Sequence, residues 1–131
     1  MDYLSLIQAQ DAEKTALVTE TCRYTYGQLA RRAQALRDAV GGERACRWIY
    51  ADTIAGQLIQ FLAYAGTNWV PVIAPQARGE RRDRSQIPPE GACMGVMTSG
   101  SAGRPKLWWR TYDSWASFFS VQNGVFGVDE N

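Results

Sequence analysis

The order of patterns along the chain predicts an α/β fold: a mostly parallel sheet flanked by helices, with a β-hairpin at the N-terminal end. Three observations carry this. Two short apolar runs, Ala45 to Ala51 and Trp69 to Ile73, bracket a helical pattern with apolar residues at Ile54, Leu58, Phe61, Leu62 and Ala65. Strand, helix, strand in that order is a βαβ unit, which pairs its strands in parallel through a right-handed crossover. Ala16 to Thr19 and Cys22 to Tyr24, split by Glu20-Thr21, read as a hairpin.

The remaining elements follow from local signals. Asp2 to Gln10 fits a short helix with Tyr3, Leu6 and Ile7 on one side. Thr25 followed three residues later by Gln28 is a capping box, and the helix it opens places Leu29, Ala33, Leu36 and Val40 on one face until Gly41-Gly42 ends it. Asp52 or Thr53 caps the crossover helix and Gly66 closes it. Pro71 is expected near the start of its strand or on a sheet edge. Gln76 to Gly91, with Arg78, Arg81, Arg82, Arg84 and Pro88-Pro89, reads as an exposed loop. Ala92 to Met97 is a strand, Leu107 to Arg110 another, and Thr111 or Asp113 caps a last helix carrying Trp115, Phe118, Phe119 and Gln122. At that spacing these aromatics are expected in the core.

Size and composition bound the chemistry. With 131 residues, 46% of them hydrophobic and 21% charged, the chain is one domain's worth and buries a core without metal or disulfides. A net charge of +1 gives no field for nucleic acid or an anionic membrane. Histidine is absent, which removes Ser-His-Asp and Cys-His catalysis and histidine-rich zinc sites. No metal site is read from the sequence. Cys22, Cys46 and Cys93 form no CxxC and are expected as reduced thiols packed as small hydrophobes, in a cytoplasmic protein without a signal peptide or membrane span. Asp11, Glu13, Asp52, Asp129 and Glu130 are too scattered to suggest a catalytic carboxylate pair.

One segment carries chemistry. The strand Ala92 to Met97 runs into Thr98-Ser99-Gly100-Ser101-Ala102-Gly103-Arg104-Pro105-Lys106. Glycines let backbone approach a bulky anion, successive amides form an anion-binding concavity, and hydroxyls and a lysine add donors and charge. The spacing is not that of the GxxxxGK[ST] P-loop, the GxSxG nucleophile elbow or the GxGxxG dinucleotide turn. From composition alone, phosphate binding and a plain flexible turn both remain open.

The nine residues resemble the TSG[ST]TGxPK phosphate loop of the adenylate-forming superfamily, which includes acyl-CoA and aryl-CoA synthetases. Lys14 to Val18 followed by Tyr24 to Leu29 is similar to that family's N-terminal region, and Ala63 to Val72 to its "aGa-yvPl" stretch. The resemblance implies that the chain, 1–131, is a single partial domain, the N-terminal part of an AMP-binding domain. It implies that Thr98, Ser99, Gly100, Ser101, Gly103 and Lys106 contact the β- and γ-phosphates of ATP. It further implies a carboxylic acid activated to an acyl-adenylate with release of pyrophosphate, Mg2+ to neutralise phosphate charge, and coenzyme A as the final acceptor. Ala102 replaces a usual threonine, Leu107 a usual glycine, and the link from Pro75 to Ala92 is short for the family.

Later motifs of that family, YGxTE-like and YxTGD-like, do not occur in the 131 residues. The isolated chain is therefore expected to lack ligase activity. Self-association through uncovered sheet is also expected. Two other readings compete. One is an interaction or structural fragment with an idle phosphate loop. The other is a single-strand nucleic-acid binder built on Arg104, Lys106, Trp108, Trp109, Arg110 and Tyr112, although Trp108 and Trp109 on one strand would face opposite sides.

Overall fold

The computed structural model describes residues 2–74, 86–98 and 106–127. It is α/β, with a mixed four-stranded sheet, flanking helices and a separate two-stranded antiparallel hairpin. The hairpin joins β1 (Thr15–Val18) to β2 (Arg23–Thr25), each shifted by about one residue from its sequence expectation. The larger sheet has the order β3 (Ala45–Ile49), β4 (Trp69–Ile73), β5 (Ala92–Thr98), β6 (Lys106–Thr111). The β3–β4 and β4–β5 pairs are parallel and β5–β6 is antiparallel, so the expected βαβ pairing is present and the sheet is mostly parallel.

The helices begin where their caps dictate. In α1 (Tyr3–Gln8) the Asp2 carboxylate accepts from the backbone N–H groups of Leu4 and Ser5, so the helix is shorter than Asp2 to Gln10. In α2 (Tyr26–Arg37) the Thr25 hydroxyl accepts from Gln28 N while the Gln28 amide oxygen accepts from Thr25 N, a complete capping box. This helix ends at Arg37 rather than at Gly41-Gly42. Beyond it, Ala39 and Val40 donate to Leu36 and Arg37, three residues back, so the chain tightens out of the α-helix before the glycines. Leu36, still within the helix, is exposed, while Val40 beyond it packs on the core. Thr53 caps α3 (Ile54–Tyr64), and Gly66 follows at φ +80, a conformation that favours glycine. Ile54 is exposed and lies off the apolar face assigned to it; Ala55, Ile59, Leu62, Ala63 and Tyr64 of this helix are buried, and Leu58 packs against the same core.

Pro71 corrects the sequence expectation. It sits at the middle of β4, an interior strand, and is fully buried. In a parallel ladder each strand's N–H groups alternate between its two neighbours. Ala45 donates to Asn68 O, which sets the phase and turns the position of Pro71's missing N–H toward β5. Pairing with β5 begins only at Val72, opposite Gly95, so the proline removes no bond from the β3–β4 ladder.

Two apolar clusters hold the layers. The first joins Leu4 of α1, Leu29, Ala30 and Ala33 of α2, and Ile59, Leu62, Ala63 and Tyr64 of α3, with Trp69 packed against it. Fully burying a leucine such as Leu4 or Leu29 contributes about 1.5–3 kcal/mol. The second is built on the sheet: Cys46, Trp48 and Val72 are buried, with Met97, Leu107 and Trp109 and, just past β4, Ala74 against them.

The last helix of the sequence reading is two helices. Thr111 caps α4 (Tyr112–Ala116), and α5 (Phe119–Phe126) follows after a break at Ser117-Phe118. Neither buries a residue, and Trp115 and Phe118 are exposed, contrary to the core position expected for them. Of the Gln76 to Gly91 segment, residues 75–85 lie outside the described region. Gln86, Ile87, Pro89 and Glu90 are exposed as expected, but Pro88 is buried and Arg44 grips the segment by donating to Pro89 O and Ala92 O.

Candidate functional site

The three parallel strands β3, β4 and β5 end at the same edge of the sheet, the edge where open α/β sheets bind ligands. Thr98, the last residue of β5, and Lys106, the first of β6, are paired across the antiparallel ladder at that edge. Directly opposite residues project to the same face, so the two side chains start side by side, and both residues are exposed. Lys106 makes no ion pair with any described carboxylate. Among the described residues Thr98 has one side-chain partner, accepting from Trp108 Nε1 at 3.3 Å.

Ser99, Gly100, Ser101 and Gly103, the other residues assigned to the phosphate loop, lie outside the described residues. Thr98 and Lys106 are thus the two ends of the segment, separated by seven residues in sequence and paired across the sheet. An exposed cation with no carboxylate partner among the described residues, across from a threonine at the carboxyl edge of parallel strands, has the charge and donor that a polyphosphate needs. No group that would hold coenzyme A or a carboxylic acid can be assigned among the described residues.

The alternation along β6 separates the two tryptophans as the sequence reading expects. Trp109 packs in the strand cluster over Gly95, and Trp108 is 57% exposed on the other face. Arg110 turns away from solvent: its Nη2 donates to Ser114 O, and its Nε is buried without a hydrogen-bond partner. Lys106 and Trp108 therefore remain as the exposed basic and aromatic pair on this strand.

A separate cavity of about 180 Å3 lies against β3 and α3, lined by Cys46, Arg47, Trp48, Tyr50, Gln60 and Tyr64. Nothing in the sequence singled out this group. Arg47 lies 4.4 Å from the centroid of the Trp69 ring and 5.7 Å from that of Tyr64. The Gln60 side-chain amide donates to Tyr50 O and accepts from Tyr50 N, tying α3 to the end of β3. Among the described residues the lining holds no carboxylate, and burial pushes the Cys46 thiol up from its ordinary pKa, with the Arg44 charge offsetting part of the rise. The described lining therefore offers neither a general base nor a ready thiolate.

Burial pushes the Cys93 thiol up as well, and Cys22 Sγ sits 2.9 Å from the Thr19 hydroxyl. All three cysteines are free; Cys46 is buried, whereas Cys22 and Cys93 are half-buried. Among the described residues no group of three metal-ligating side chains comes together, and no helix is long and apolar enough to cross a membrane. No family model matches the chain, and no curated protein matches it.

Proposed function

We propose that the chain is the N-terminal portion of an adenylate-forming ligase, with the turn from Thr98 to Lys106 holding the β- and γ-phosphates of ATP. One observation carries this: the TSGSAGRPK segment follows a strand that ends at the carboxyl edge of parallel strands, and its two end residues, Thr98 and Lys106, are paired across the sheet there. That arrangement suits a leaving pyrophosphate. In the reaction implied, a carboxylate oxygen attacks the α-phosphorus, the bond to the bridging oxygen breaks, and charge builds on the departing pyrophosphate. Lys106 and Thr98 would stabilise that charge, with Mg2+ supplying further neutralisation and the backbone amides of the glycine-rich turn adding donors. An acyl-adenylate and, with coenzyme A as acceptor, a thioester would follow in the complete enzyme. The isolated chain is assigned phosphate binding without turnover.

Calorimetric titration with magnesium tripolyphosphate and MgATP tests the reading. Both should bind, and Lys106→Ala should weaken both by roughly tenfold or more, the loss of about 1.5–3 kcal/mol expected for a charge-assisted contact. Absence of binding at millimolar ligand would leave the turn idle and favour a structural fragment. Carboxylate-dependent exchange between ATP and pyrophosphate by the chain alone would overturn the assignment of an inactive fragment. A nucleic-acid role is the weaker reading, because Arg110 is committed to Ser114 O.

A further inference from the structure

We propose that Trp108 is a positioning residue for polyphosphate binding: its indole N–H holds the Thr98 hydroxyl so that the hydroxyl donates its proton to a phosphate oxygen. The proposal rests on the polyphosphate reading of the segment from Thr98 to Lys106 and adds a residue outside that segment. Pairing aligns Val96 with Trp108 and Thr98 with Lys106, so Trp108 is the diagonal neighbour of Thr98 and follows Lys106 by two positions on the same strand. The three side chains project to one face of the sheet, and all three residues are exposed. Trp108 Nε1 donates to Thr98 Oγ1 at 3.3 Å across that diagonal.

An indole N–H can only donate, so in this bond the Thr98 oxygen accepts. Ionised phosphate oxygens are acceptors. A hydroxyl joins a donor to an acceptor in one way: it accepts from the indole and donates to the phosphate. The two bonds polarise the hydroxyl in the same sense, so each strengthens the other. A threonine side chain has staggered positions to choose among, and the bond to Nε1 favours the one that keeps Oγ1 within reach of the indole. Lys106 differs in kind. Its ammonium is a point charge on a flexible stem and carries no fixed direction. Thr98 held by Trp108 is therefore the directional donor of the pair, and Lys106 the charge.

Magnesium tripolyphosphate titrated into a double-mutant cycle tests this. Trp108→Phe keeps an aromatic ring without the N–H, and Thr98→Val keeps the shape of threonine without the hydroxyl. Thr98→Val should weaken binding about tenfold, and Trp108→Phe about three- to tenfold, the range of one neutral hydrogen bond. In the Thr98→Val background Trp108→Phe should cost nothing further, because the indole acts through the hydroxyl. In a Thr98→Ser background, where a hydroxyl is restored, the cost of Trp108→Phe should return. Unchanged affinity in either single variant overturns the positioning role; a lowered thermal midpoint with unchanged affinity would make the bond a brace between β5 and β6. An equal loss from Trp108→Phe with and without the Thr98 hydroxyl also overturns it, since the indole would then meet the phosphate directly. These results leave the phosphate reading standing. Failure of tripolyphosphate to bind the unsubstituted chain sinks that reading and the positioning role with it. Should Trp108→Phe lose its far-ultraviolet circular dichroism, the Trp108 Nε1–H proton resonance decides. Tripolyphosphate should shift it in the unsubstituted chain and not in Thr98→Val, and an equal shift in both, or none in either, overturns the proposal.

Discussion

Arg37 at the end of α2 meets Asp2, the N-cap of α1, with Nη1 2.7 Å from Oδ1. The same guanidinium donates from Nε to Ala63 O at 2.9 Å and from Nη2 to Leu62 O and Ala65 O at 2.8 and 2.9 Å. One planar fork therefore ties the start of α1 to the carbonyl end of α3, and its positive charge complements that end's partial negative charge. With the Arg37 side chain only 17% exposed, these bonds are shielded from water.

Arg37→Ala is accordingly expected to destabilise the fold by about 2–4 kcal/mol, since it leaves three carbonyls and a carboxylate without this donor. Arg37→Lys should recover little, because an ammonium cannot span the same acceptors. Urea denaturation measures both variants. A loss below about 0.5 kcal/mol for the alanine variant, the range of ordinary surface changes, would show that water replaces the fork without cost.

Asp2 links this clamp to pH. Burial alone would raise its carboxyl pKa, but the Ser5 hydroxyl, the Arg37 guanidinium and the Ser5 backbone amide together outweigh burial and hold it below the ordinary value. A folded-state pKa below the unfolded one contributes stability that is complete above about pH 4, the unfolded value, and is lost as pH falls through the folded value. The stability difference between the unsubstituted chain and Asp2→Asn should therefore be constant near pH 6 and shrink on acidification below pH 4. Because the Asp2 side chain is 41% exposed, the difference is modest and should fall further at high salt. A difference that grows toward low pH would contradict the assigned direction.

Trp109, of the sheet's second cluster, packs over Gly95. A Cβ at Gly95 would meet Trp109 Cζ3 at 3.0 Å, Leu107 Cδ1 at 3.1 Å and Trp109 Cε3 at 3.2 Å. The obstacle is packed side chain rather than a positive φ, so alanine asks the indole to yield by a few tenths of an ångström. Gly95→Val should cost about 1–3 kcal/mol by overpacking, with a changed near-ultraviolet tryptophan signal. Pairing Gly95→Ala with Trp109→Leu should recover part of the loss in a double-mutant cycle.

The elements that were legible in the sequence are those fixed by local chemistry. The Thr25–Gln28 capping box, the strand–helix–strand order from Ala45 to Ile73 and the opposite facing of Trp108 and Trp109 each depend on residues close together in the chain. What was not legible depends on partners far apart. Arg37 reaches 35 residues back to Asp2, and no spacing rule pairs them. Pro71 reads as an edge residue until the phase of the β3–β4 ladder is known. Helical spacing gave Trp115 and Phe118 an apolar stripe but could not say whether a neighbour exists to cover it. At the candidate site, adjacency of Thr98 and Lys106 follows from antiparallel pairing of β5 with β6, and the diagonal from Thr98 to Trp108 from a register that only the assembled sheet defines.

That uncovered stripe leads to the last prediction. On α5 and the residue before it, Phe118, Val121, Val125 and Phe126 are 57%, 62%, 73% and 76% exposed, and the helix Phe119–Phe126 carries no charged residue. A second copy laid across this face would bury apolar surface from both chains without stranding a charge, which makes the face self-complementary under two-fold symmetry. Scattered mass measured from micromolar to hundreds of micromolar protein should rise toward twice the 14.6 kDa of one chain. Val125→Glu should hold it at one chain's mass, because each partner would then have to desolvate a carboxylate. Since Val125 buries nothing within its own chain, the variant should keep its thermal midpoint in dilute solution. A mass that stays at one chain over the whole range would remove the second copy as the occupant of this face.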